Sequence, residues 1–225
     1  MANNVAYVGT ALDKSLAGVI EIPVLRISYR DISYLGKIET PIAIMSKRAV
    51  ISLKMSGVSM GTSRIYCIGE ETAKYLNGLY SLDCVVPELQ NTECLAGIIV
   101  SKENRITIIG SNRTSTRFIT NLENKGVEVR HIAAYNIEEN EDVSYADLEK
   151  ANKILVGSSY SFEILYLRAK KFIADKLLYA IGKPTYITMI NKSFTPRGYF
   201  EKPSIYEILD ILLNDREDKF LLKDI

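Results

Sequence analysis

Residues 42–73 read IAIMSKRAVISLKMSGVSMGTSRIYCIGEETA, and two linked half-motifs in them decide the fold. The apolar run 42–45 ends in Ser46, Lys47 and Arg48, after which Ala49, Val50 and Leu53 recur at helical spacing. The apolar run 65–68 ends in Gly69, Glu70, Glu71, Thr72 and Ala73. An apolar run, a polar break and then 3.6-residue periodicity predict a buried strand, an elbow and a helix. The pair returns further along the chain. Residues 154–157 lead into Ser158, Ser159 and Tyr160, with Phe162, Leu165, Tyr166 and Ala169 at helical spacing. Residues 177–181 lead into Gly182, Lys183, Pro184 and Thr185. Ser46 precedes Gly69 by 23 positions, Ser158 precedes Gly182 by 24, and a Thr stands three residues after each Gly. A spacing repeated within one chain marks a duplication.

In an open parallel sheet, ligands sit beyond the carboxyl ends of the strands, where helix N-termini present unpaired N–H groups. A Ser or Thr there caps its helix or donates to a bound anion. Two copies of this arrangement are expected to face each other across a cleft.

Working outward, residues 5–9 and 19–22 read as strands, the second closed by Pro23. Residues 24–33 alternate Leu25, Ile27 and Tyr29 with Arg26, Ser28 and Arg30, the period of an extended segment with one exposed face. Residues 55–63, rich in Ser and Gly, read as a loop. A short strand at 84–86, a helix at 92–100 and a strand at 106–109 follow, and then a helix carrying Phe118, Ile119 and Leu122 that stops at Gly126. Residues 127–135 are again extended, 138–142 form an acidic, solvated connector, and 215–225 form a charged tail. Ser204 and Glu207 make a capping box before a helix that buries Ile205, Ile208, Leu209 and Leu212.

The extended segments 24–33 and 129–138 bracket the first copy, so the chain is expected to cross between lobes twice. The fold class is α/β: two similar lobes, each a parallel sheet flanked by helices, joined by a two-stranded β ladder. One lobe is continuous, residues 34–131; the other combines 1–28 and 141–225; residues 29–33 and 132–140 are the linkers. The continuous lobe holds 12 Lys/Arg against 9 Asp/Glu, which points anion binding toward it.

Composition excludes several classes. A formal charge of +1 over 225 residues gives no case for nucleic acid or an anionic membrane surface. The longest uncharged run, residues 1–12, is too short and polar to span a bilayer or direct secretion. Cys67, Cys84 and Cys94 lack CxxC spacing and His131 is the single histidine, so no metal site is expected. The cysteines are expected to be reduced and the protein cytoplasmic.

The ordered motifs resemble those of the uroporphyrinogen-III synthase family. Residues 44–50 (IMSKRAV) look like its strand-(T)S-x-R/N-A-V element, and 68–73 and 181–185 look like its two G-x-x-T elements. Residues 110–122, then Gly126 to Val129 and Ala134-Tyr135, are similar to its loop-helix, G-x-x-V and V-Y series, and Pro203-Ser204 to its P-(S/T) ending. The resemblance implies closure of the linear tetrapyrrole hydroxymethylbilane, with loss of water and inversion of the terminal pyrrole ring, without a cofactor. The expected partner is that small-molecule substrate alone, and a monomer is expected. Three positions depart from the pattern: Gly9-Thr10 replaces a common Arg, Leu177 (beside Lys176) replaces an expected Lys, and Tyr186 replaces the usual Ala.

On this resemblance Tyr135 is the catalytic candidate, its phenol placed to help the substrate hydroxyl leave as water. The plain alternative is a tyrosine packed on a ladder strand. Thr72 and Thr185 are candidates for donating to acetate or propionate groups, against a role in the first helical turn. Ser46, Ser158 and Ser159 follow the same logic, against capping. Arg48 is a candidate that reaches the cleft, against a solvated arginine. Ser111, Asn112, Thr114 and Arg117 lie at a helix start suited to carboxylates, against an ordinary polar turn. His131 reads as a half-buried strand residue. The competing function is a two-lobed, non-enzymatic binding protein for a small anion or sugar phosphate.

Overall fold

The computed structural model describes residues 4–61, 64–200 and 204–222. In chain order the strands and helices are β1 (Val5–Thr10), β2 (Val19–Tyr29), β3 (Lys37–Ile38), β4 (Ile42–Ile44), α1 (Lys47–Met55), β5 (Ser59–Met60), β6 (Ile65–Cys67) and α2 (Glu70–Tyr80). They continue with α3 (Thr92–Lys102), β7 (Arg105–Ser111), α4 (Thr116–Asn124), β8 (Glu128–Glu139), β9 (Lys153–Val156) and α5 (Ser159–Ile173). The last are β10 (Leu177–Ala180), α6 (Lys183–Asn191), β11 (Gly198–Tyr199) and α7 (Ile205–Leu213). The chain divides into a continuous unit, Ile27–Ile137, and a discontinuous one, Met1–Arg26 with Glu138–Ile225. Both β2 and β8 carry the chain from one unit to the other.

In the continuous unit the strands run in the order β8–β7–β4–β6, all parallel. Parallel strands covered on both faces are apolar throughout, which is why β4 and β6 are buried at every residue. The period of two separates the faces. Ile42 and Ile44 join Val50, Leu53, Ile65 and Leu76 in one core. Ala43 joins Tyr66, Leu95, Ile99, Phe118 and Leu122 in the other. Ser59 and Met60, expected in a loop, instead pair with β3 in a two-stranded parallel sheet. Thr62 and Ser63 of that loop lie outside the described residues, as does Pro203 of the closing motif. The expected strand at 84–86 is a single bridge, Val85 to Tyr66.

That bridge corrects the expectation of reduced thiols, since Cys67 and Cys84 form a disulfide with their Cα atoms 6.0 Å apart. Cys67 N–H donates to Val85 O at 2.9 Å and Val85 N–H to Ile65 O at 2.8 Å, which brings the two cysteines side by side. Cys94 is free.

In the discontinuous unit the order is β11–β10–β9–β1–β2, again parallel. Val5, Tyr7, Leu155, Tyr179 and Phe200 pack with Ile208, Leu209 and Leu212 of α7. Ser204 caps α7 with the expected capping box. β2 does not stop at Pro23. It runs on to Tyr29 because the register with β1 shifts between Val8 and Thr10, and a bulge tolerates a residue without an N–H.

The charged tail is corrected as well. Lys153, at the start of β9, is buried and its Nζ lies 3.0 Å from Leu212 O, 2.5 Å from Asp215 Oδ1 and 2.6 Å from Glu217 Oε1. Tyr179 donates to Glu217 at 2.9 Å. Residues 215–217 are therefore an anchor for this sheet. Leu222 adds an antiparallel bridge to Tyr199.

Removing one partner of a buried ion pair strands the other, so Lys153→Met is expected to cost about 3 kcal/mol in chemical denaturation. Burial alone would raise the Glu217 carboxyl, but hydrogen bonds from Lys153, a backbone amide and Tyr179 hold it below its ordinary 4.5. A depressed acid stabilises the fold above its ordinary value, and that contribution is lost as pH falls through the folded one. Melting temperature should accordingly drop below pH 4.5, and less steeply in Glu217→Gln. The Cys67–Cys84 bridge spans 17 residues. Its loss in Cys84→Ser is expected to cost about 3 kcal/mol without reductant and nothing relative to the parent with excess dithiol present.

Candidate functional site

Each unit repeats the same local construction. Ser46 caps α1 from an extended backbone (φ −172°, ψ 161°) and its Oγ accepts from Ala49 N–H at 3.2 Å. Ser158 caps α5 from nearly the same conformation (φ −168°, ψ 162°), accepting from Ser161 N–H at 3.0 Å. The two glycine elbows match as closely: Gly69 before α2 has φ −169° and ψ 171°, and Gly182 before α6 has φ −165° and ψ 171°. Neither glycine supplies a side-chain cap. Thr72 and Thr185 occupy the third helical position in each case, and both are buried.

Within the continuous unit the strand ends line up. Ile109 pairs with Ile44, and Ile44 with Cys67, so the elbows after β4, β6 and β7 share one sheet edge. Lys47, mostly buried, joins the first two by an ion pair with Glu71 at 3.0 Å. Tyr135 is buried on β8, and its hydroxyl shares a hydrogen bond with Ser46 Oγ at 2.9 Å. The Tyr29 ring lies 6.4 Å from the Tyr135 ring. The tyrosine and serine singled out in the sequence are thus in direct contact, with the phenol at the start of α1. Arg48 is half-buried at the second position of that helix.

The loop after β7 is largely occupied by its own turn. Ser111 N–H donates to Thr114 Oγ1 at 3.1 Å, Arg113 N–H to Ser111 Oγ at 3.1 Å, and Thr114 Oγ1 to Ser111 O at 2.9 Å. Asn112 N–H donates to Tyr135 O at 3.1 Å, and Asn112 Oδ1 accepts from Ile137 N–H at 2.8 Å. The turn needs glycine before it, since a Cβ on Gly110 would lie 2.2 Å from Thr114 Oγ1. These residues hold β7 against β8 beside Tyr135. α4 is capped by Ser115, and Arg117 is exposed at the helix's second position. His131 is half-buried on β8; burial holds its imidazole below the ordinary value, opposed by a Ser111 backbone hydrogen bond, and Nε2 has no partner.

In the discontinuous unit Thr188 Oγ1 lies within hydrogen-bond distance of Ser159 Oγ, at 3.0 Å, linking the starts of α5 and α6. Ser158 Oγ also lies 2.7 Å from Ser161 Oγ. Thr188 was not apparent in the sequence; its one signal is a hydroxyl one helical turn from Pro184, whose carbonyl it also reaches at 2.9 Å. Two of the departures from the family pattern, Gly9 and Tyr186, have local surroundings that go with them. A Cβ on Gly9 would meet the Tyr7 hydroxyl at 2.2 Å, so a larger residue there requires the Tyr7 ring to move. Tyr186 packs on Tyr199 with ring centroids 5.4 Å apart.

Each edge thus carries hydroxyls and helix N-termini suited to carboxylates, and one of them carries a buried phenol. Among the described residues no three His, Cys, Asp or Glu side chains are grouped to hold a metal, and no helix is long and apolar enough to cross a membrane. A search of curated protein sequences gives no match. Among solved structures, uroporphyrinogen-III synthetase from Helicobacter pylori is 15% identical at a TM-score of 0.65, covering 95% of this chain and 100% of its own. A mutant uroporphyrinogen III synthase from the extreme thermophile Thermus thermophilus is 14% identical at 0.63, with the same coverage of 95% and 100%. At that identity both likenesses speak for the fold. The family model described as Uroporphyrinogen-III synthase HemD matches residues 8–209, nearly the whole chain. The chain belongs to the uroporphyrinogen-III synthase family.

Proposed function

We propose that this protein closes hydroxymethylbilane to uroporphyrinogen III, with Tyr135 assisting departure of the substrate hydroxyl as water. The observation that supports the assignment of Tyr135 is its hydrogen bond to Ser46 at 2.9 Å, which fixes a buried phenol at a helix start in a chain of this family. A phenol is a weak acid at neutral pH, so its proton goes to the hydroxide only as the C–O bond breaks. The electrophilic azafulvene left behind is attacked by the substituted carbon of the terminal pyrrole. The resulting spiro intermediate fragments and recloses with that ring inverted.

The open tetrapyrrole carries eight carboxylates. We assign them to the helix starts bearing Ser46, Arg48, Thr72, Arg117, Ser158, Ser159 and Thr185, with Ser111, Asn112 and Thr114 shaping the loop beside Tyr135. Because the open chain closes unaided to the uninverted isomer, catalysis is chiefly the selection of one geometry. Positioning supplies that selection. No cofactor is needed for this chemistry. The non-enzymatic binding protein is not favoured by the family match. We further propose a cytoplasmic monomer; the disulfide withdraws the cysteine argument for a reducing compartment, so cell fractionation and light scattering are the relevant checks.

Incubation with enzymatically generated hydroxymethylbilane is expected to yield the type III isomer. Type I product alone, with tight binding of an unrelated anion, would favour the binding protein instead. Tyr135→Phe should lower kcat roughly 10- to 100-fold with little change in KM, whereas Thr72→Ala and Thr185→Ala should act mainly on KM, by about 3- to 10-fold each. Complete loss of turnover in both Tyr135→Phe and Thr72→Ala, with folding intact, would contradict catalysis by holding.

A further inference from the structure

The strand that carries Tyr135 is irregular just before it. On β7 and β8, Gly110 pairs with Ala133 but Ser111 pairs with Tyr135, so Ala134 is an extra residue in the ladder. Such a bulge turns the side chain that follows it, and it leaves the extra residue's polar groups outside the regular pairing. The Ala134 carbonyl, fully buried, is satisfied from two sides. Arg30 N–H donates to it at 3.0 Å, and Ser52 Oγ donates at 2.6 Å.

Ser52 is unusual in itself. It lies in the body of α1 with no exposure to solvent, on the face shared with Ala49, Val50 and Leu53. A buried serine in a helix commonly bonds back to its own preceding turn. Here the hydroxyl reaches outward to the bulge, with a longer approach of 3.5 Å to Arg30 O. The same helix begins at Ser46, which holds the Tyr135 phenol. One helix therefore grips the tyrosine twice: by the peptide that precedes it and by the hydroxyl at its tip.

We propose that Ser52 is a positioning residue for Tyr135, pinning the Ala134 bulge so that the phenol meets Ser46. This rests on Tyr135 being the acid in the reaction. Loosening the bulge lets the phenol wander from the breaking C–O bond while carboxylate binding elsewhere is unaffected. The signature is a loss in kcat without a matching change in KM. Product identity is a second readout, because substrate dehydrated or released without proper holding closes to the type I isomer.

The test is a double-mutant cycle on the full chain with hydroxymethylbilane, comparing Ser52→Ala, Tyr135→Phe and the double variant. Ser52→Ala is expected to lower kcat about 5- to 10-fold, hold KM within about two-fold and raise the type I share. In the Tyr135→Phe background the same change should alter kcat by less than about two-fold, since the hydroxyl it positions is already gone. A general weakening of the fold would instead cost the same in both backgrounds, and that result, or an unchanged kcat in Ser52→Ala, overturns the inference alone. Full turnover in Tyr135→Phe would overturn the acid role itself and this inference with it. If Ser52→Ala does not fold, Ser52→Cys, similar in size and a weaker donor, replaces it in the same cycle with the same criteria.

Discussion

Parallel strands point the same way, so each helix that follows a strand starts on the same side of the sheet with its first amides unpaired. This constraint organises both units. It puts Ser46 and Ser158 in an extended conformation so that a hydroxyl can satisfy an amide of α1 or α5. It also explains the two glycine elbows, where no side chain covers the helix start and a buried threonine sits in the first turn. The polar groups of the edge exist because the backbone leaves them there. In the proposed mechanism the chemistry is then added by a few side chains, chiefly the Tyr135 phenol.

Much of this was legible in the sequence because it is local. Apolar runs such as 42–45 and 154–157, each followed by a serine and a helical period, name their own structure. What was not legible depends on partners far along the chain. Pro23 reads as a strand end until the shifted register with β1 shows why it is tolerated. Ser59 and Met60 look like loop, and become strand only because Lys37 and Ile38 lie alongside. Glu217 reads as part of a charged tail, yet Lys153 draws it into the protein. Cys67 and Cys84 carry no spacing signal; the bridge through Val85 pairs them.

The site divides along the same line. Residue types at the elbows were readable, but not what each hydroxyl would hold. Ser46 both caps its helix and contacts Tyr135, so the capping and functional interpretations of it are compatible. The loop at 111–114 offers amides in sequence, and the fold spends several of them on its own turn and on Tyr135 O. Ser52 gave no motif at all. Its serine sits at a position where periodicity calls for an apolar residue, a local conflict that acquires a reason once the Ala134 carbonyl is seen beside it.

The interleaving of the chain has a bearing on how the protein is made. β1 lies between β2 and β9, and its neighbour β9 begins at Lys153. On a ribosome the continuous unit emerges whole and is free to condense early, while the first strand waits through well over a hundred residues of synthesis with its apolar flank uncovered. Newly begun chains are thus the form in which this protein is most exposed to chaperones and to self-association.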